Sequence, residues 1–81
     1  MDKLSISRLV MEILDEIRDC DDIQNDTLLL ERGILDSLSI LYLISELEEK
    51  LTIKINLEDV EEKNFQNIDC IAEFVLSCVK T

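Results

Sequence analysis

Gly33 to Leu51 reads GILDSLSILYLISELEEKL, and the fold is decided within it. From Leu38 to Leu51 apolar residues return at the spacing that puts them on one side of an α-helix. Asp36 and Ser37 stand just ahead of that run, with side-chain oxygens able to accept from the unpaired N–H groups of a first helical turn. Turned at about 100° per residue, Ile40, Leu43, Ile44, Leu47 and Leu51 form a stripe that reads as core. Leu38, Leu41 and Tyr42 fall off it, beside Ser37, Ser45, Glu48 and Glu49. The helix is therefore expected to carry a second face that mixes apolar side chains with acids. Such a face suits contact with another molecule, although single exposed apolar residues are also ordinary.

Working outward, Ile6, Leu9, Val10, Ile13, Leu14 and Ile17 keep helical spacing between acidic and basic residues and predict a first amphipathic helix over Leu4 to Ile17. The stretch DCDDIQND, Asp19 to Asp26, ends that period with short polar side chains that bond their own backbone, so a loop is expected there. The loop continues through TLLLERGIL, where Leu28, Leu30, Ile34 and Leu35 imply that it packs against the body. Beyond the central helix, Asn56 is placed to cap a short helix in LEDVEE, and Asn67 to cap a last one. Ile68, Ile71, Ala72, Val75 and Val79 line one stripe of that last helix, with Asp69 at its start and Lys80 at its end. The order is helix, long loop, helix, short helix, helix: an all-α four-helix bundle with a short third helix, in a single domain over residues 1–81.

Composition agrees. Eighty-one residues make one core, and with no proline and one glycine the chain lacks the residues of a turn-rich β fold. Aromatics are only 4% of the sequence, which leaves Leu, Ile and Val to fill the interior. Nineteen acidic against eight basic residues give a net charge of −11, which repels nucleic acid and anionic membrane surfaces and suits encounters with basic patches on proteins. Cys20, Cys70 and Cys78 have no metal-ligand spacing and read as small buried hydrophobes in a reducing compartment. No leader pattern and no membrane-spanning run is evident, so a cytoplasmic, monomeric protein is expected.

Histidine is absent, which removes the usual general base and the commonest metal ligand. The Asp-rich loop is no calcium loop, because it lacks the central glycine and has Leu30 where the twelfth-position acid belongs. Ser37 remains. It stands four residues after the only glycine and opens a helix, where partial positive charge and unpaired N–H groups favour a phosphate ester on its hydroxyl. Taken as a dipeptide, Asp-Ser ahead of an apolar run is equally a plain helix cap.

GILDSLSILYLISELEEKL, with VEEKNFQNIDCIAEFV downstream, resembles the acyl and peptidyl carrier protein family, and the family's order of helices covers essentially the whole chain. The resemblance implies a phosphopantetheine arm on Ser37, moved there from coenzyme A by a phosphopantetheinyl transferase. It implies too that the arm's thiol carries an acyl or aminoacyl group as a thioester. The chain itself is then no enzyme. Its partners would be the transferase, an adenylating ligase or acyltransferase for loading, and downstream biosynthetic enzymes. By the same resemblance Asp36 is the acid before the modified serine, Leu38 the apolar residue after it, and Leu41, Ser45 and Glu49 lie on the recognition face. Ser39 and Tyr42 stand where fatty-acid carriers have acids, and the spacing from Gly33 to the DSL is closer to D-alanyl carriers, peptidyl carriers and stand-alone carriers of dedicated clusters. Two other readings compete: a non-covalent acidic adaptor in which Ser37 is only a cap, and a hydrolase with Ser37 as nucleophile, which lacks a histidine base and any evident oxyanion arrangement beyond a helix N-terminus.

Overall fold

Three helices start in the same way, with an Asp or Asn ahead of the first turn accepting from the third N–H of the helix. The computed structural model describes residues 2–17 and 23–79, and among them are α1 (Lys3–Ile17), α2 (Ser37–Leu51) and α3 (Ile68–Val79). Asp2 Oδ1 accepts from Ser5 N at 2.9 Å, Asp36 Oδ1 from Ser39 N at 2.9 Å, and Asn67 Oδ1 from Cys70 N at 2.7 Å. Each bond satisfies a donor that a helix leaves open at its first turn. Asp36 and Asn67 are the caps expected from the sequence, whereas the Asp2 cap is an addition from the structure.

No strand occurs among the described residues, and the all-α expectation holds. The short third helix is instead two single 3₁₀ turns, Leu57–Asp59 and Glu62–Phe65. Asn56 does cap the first of them, accepting from Glu58 N at 3.2 Å. Val60 and Glu61 between the two turns are extended, with φ −81°, ψ 120° and φ −128°, ψ 151°, so no continuous helix forms.

The core follows the predicted stripes. Ile6, Val10, Ile13 and Leu14 of α1, Ile40, Leu43, Ile44 and Leu47 of α2, and Ile68, Ile71, Ala72 and Val75 of α3 are buried together. Each fully buried large aliphatic contributes about 1.5–3 kcal/mol relative to exposure. Leu51 and Val79, placed on core stripes, are half-buried at the helix ends. Phe65 is fully buried and meets Phe74 edge to face, centroids 5.8 Å apart. Outside the helices, Leu29, Leu35 and Ile55 complete the core. Lys3 joins the first turn of α1 to α3 through Asp69 at 2.8 Å and Glu73 at 3.2 Å. Cys70 and Cys78 are half-buried rather than fully enclosed, and burial, with Asp59 adding to it, pushes the Cys78 thiol up. Cys20, Lys80 and the Asp19–Asp22 part of the acidic stretch lie outside the described residues.

Candidate functional site

The approach to α2 is a turn that only glycine makes without strain. Arg32 N donates to Leu28 O at 3.0 Å, Gly33 N to Leu30 O at 3.2 Å, and Ile34 N to Leu29 O at 2.9 Å. This is the pairing that ends a helix through a left-handed residue, and Gly33 has φ 73°. Leu29 anchors it: its side chain is fully buried, its N–H donates to Gln66 O at 2.8 Å, and its carbonyl also accepts from Leu35 N at 3.1 Å. Of the four loop aliphatics expected to pack inward, Leu35 is buried, Leu30 and Ile34 are half-buried, and Leu28 is exposed. The turn thus holds Asp36 at the surface, pointing the chain into α2.

Ser37 is the first residue of α2 and is exposed. Asp36 caps the helix, and Ile40 N closes the first full turn on Asp36 O at 2.9 Å. Leu38, next along, leaves 79% of its surface in solvent, with Leu41 at 51% and Tyr42 at 46%. Ser45 and Glu49 continue the same exposed stripe. Glu48 does not belong to it. Its side chain is half-buried, and Oε2 accepts from Ile55 N at 2.8 Å, so it fastens the chain after α2 instead of facing outward. Of the residues expected on the contact face, Asp36, Leu38, Leu41, Tyr42, Ser45 and Glu49 are therefore exposed there, and Glu48 is occupied elsewhere.

Between the end of α1 and the first turns of α2 lies a shallow, mainly apolar hollow of about 350 Å³, lined by Glu16, Ile17, Leu38, Ser39 and Tyr42. The Glu46 carboxylate, partial burial and then Glu16 push the Tyr42 hydroxyl above its ordinary 10.0. Glu46, four residues on from Tyr42, was legible from helical spacing. Glu16 and Ile17 come from another element, and nothing in the spacing of either helix places them there.

The family described as a phosphopantetheine attachment site matches residues 5–75. The chain belongs to that family. A D-alanyl carrier protein of Listeria monocytogenes serotype 4b (strain CLIP80459) is 33% identical over 64 residues, spanning 76% of this chain and 82% of that protein. One from Enterococcus faecalis (strain ATCC 700802 / V583) is 34% identical over 62 residues, 74% of this chain and 80% of its own length. The protein is accordingly a carrier that holds an acyl or aminoacyl group on covalently attached 4′-phosphopantetheine. When bound, that group supplies a thiol on which the cargo sits as a thioester. The start of α2 would fit it: a phosphodiester there would meet the positive end of a 15-residue helix, in the open, beside exposed apolar side chains. No helix among the described residues is long and apolar enough to cross a membrane. Carrier function implies recognition by the enzyme that installs the arm and by enzymes that load and use the cargo.

Proposed function

We propose that Ser37 bears the arm, and that an adenylating ligase charges its thiol with a small amino acid of the D-alanine class. The observation that carries this reading is the placement of Ser37: an exposed hydroxyl on the first residue of α2, behind the capping Asp36 and ahead of the most exposed leucine in the fold. Ser39, the other serine of that turn, is half-buried with its N–H committed to Asp36. The likeness to D-alanyl carrier proteins supports an aminoacyl cargo. Residues 1–81 act as a single carrier domain in the cytoplasm, where coenzyme A and ATP are at hand, and the chain brings cargo to partner enzymes without chemistry of its own. Asp36, Leu38, Leu41, Tyr42, Ser45 and Glu49 form the face that those enzymes read, an apolar centre with acids at its edge.

Intact mass after incubation with coenzyme A and a promiscuous phosphopantetheinyl transferase tests the site. One phosphopantetheine on the native chain and none on Ser37→Ala is the expected result. Modification of the variant would move the attachment to another serine, and no modification of either would leave the acidic adaptor. With the arm installed, ATP, D-alanine and a D-alanine-activating ligase should add one alanyl group, and a fatty acyl ligase should add nothing.

A further inference from the structure

The hollow beside Ser37 combines three properties that rarely coincide on a surface. Most of its surface is apolar, its lining includes the half-exposed Tyr42, and among the described residues the charged group of its lining, Glu16, and the one a helical turn on from Tyr42, Glu46, are both acids. It also borders the proposed tether, since Leu38 and Ser39 of its lining are the next two residues after Ser37, and Tyr42 stands about 7.5 Å further along the helix axis. A cation suits this site better than a neutral or anionic group: the ring face attracts positive charge and the two carboxylates add to it. The apolar lining asks for a cation attached to a small apolar body.

We propose that this hollow receives the primary ammonium of an aminoacyl group carried on the chain's own arm, between Glu16, Tyr42 and Glu46, while the alanine-sized body rests on Ile17 and Leu38. The proposal rests on the reading that Ser37 bears the arm and that the cargo is aminoacyl. Its consequence is discrimination by charge: an acyl group of equal size without the amine has no reason to dwell there, so the carrier presents its charged cargo from a defined side of α2.

The test compares two cargoes of the same shape. A phosphopantetheinyl transferase transfers the arm from hydrolysis-proof amide analogues of alanyl- and propionyl-coenzyme A, releasing the adenosine bisphosphate, and intact mass verifies each. Amide spectra are then recorded, together with the emission of Tyr42, which is the sole tyrosine in a chain with no tryptophan. The alanyl form should shift the amides of Glu16, Ile17, Leu38, Ser39 and Tyr42 about two- to fivefold more than the propionyl form, the range expected of an exposed cation–ring contact. In the Glu16→Gln, Glu46→Gln double variant the difference between the two forms should fall to what the Tyr42 ring alone supports, and an undiminished difference would overturn the part given to the two carboxylates. Equal shifts from both cargoes on the native chain overturn the proposal and leave Ser37 as the attachment point intact. Absence of any added mass overturns the attachment reading, and the docking with it.

Discussion

Among the described residues the backbone passes through the left-handed region twice, once before α2 and once after it, and the two turns are made by different residues. Gly33 has φ 73° and Thr52 φ 53°. The hydrogen bonding matches: Ile34 N reaches back to Leu29 O at 2.9 Å, and Ile53 N to Glu48 O at 3.1 Å. Glycine holds this conformation without a steric penalty, while a β-branched residue is strained by roughly 1–2 kcal/mol. The exit turn makes up for that strain through tertiary contacts, since Glu48 Oε2 takes the Ile55 N–H at 2.8 Å and Ile55 is buried. The entry turn buries Leu29 and leaves Ser37 and Leu38, a few residues further along the chain, in solvent. One helix is thus closed at its C-terminal end and open at its N-terminal end, the end at which the arm is proposed to sit.

Leu29→Ala attacks the entry turn at its anchor and should lower stability by about 2–5 kcal/mol, the range for emptying a fully buried leucine site. Urea unfolding midpoints read it directly, and a loss under about 1 kcal/mol would mean that the loop, not its anchor, places α2. Glu48→Ala opens the closed end. With the Ile55 N–H left without its charged acceptor, a loss of about 1.5 kcal/mol is expected, at the low end for such bonds because the carboxylate is half-buried. Amide exchange should quicken at Ile55 while the first turn of α2 keeps its protection.

Exchanging the turn residues sharpens the comparison further. An added Cβ at Gly33 meets nothing within 4 Å, so Gly33→Ala carries only the backbone penalty, about 1 kcal/mol. Thr52→Gly should have the opposite sign and gain about 0.5–1 kcal/mol in the same unfolding assay. Two losses, or two gains, would break the parallel between the turns.

The smallest effect is a titration at the open end. Glu46, partial burial and Glu16 raise the Tyr42 hydroxyl above its ordinary 10.0. A group whose folded value is raised gives stability that is complete below about pH 10 and is lost as pH climbs through the folded value. Tyrosinate absorbance reports this residue alone, as the chain has one tyrosine. Glu46→Gln should bring the midpoint down toward the ordinary value, and an unchanged midpoint would remove Glu46 as the main cause.

Much of this was legible in advance because helices write their faces in local spacing. The buried stripe Ile40, Leu43, Ile44, Leu47 and the caps at Asp36 and Asn67 depend on neighbours three or four residues away, which a sequence states outright. Glu48 was misplaced for the complementary reason. Helical phase puts it near Ser37 at the margin of the core stripe, well away from Tyr42, and the chain after α2 folds back and offers it the Ile55 N–H, seven residues distant. The short third helix resolved into two 3₁₀ turns because Val60 and Glu61 between them are extended, a break that no cap or apolar spacing announces.

By itself, then, the sequence determined an all-α chain with a serine at the start of its central helix, because periodicity, capping and composition act over a few residues and need no partner. Only the tertiary structure decided that Leu29 anchors the loop, that Glu48 turns inward, and that Glu16 and Ile17 come to lie against Leu38 and Tyr42. These depend on two elements meeting. That meeting is set by how side-chain volumes fill one shared core, which no local pattern records.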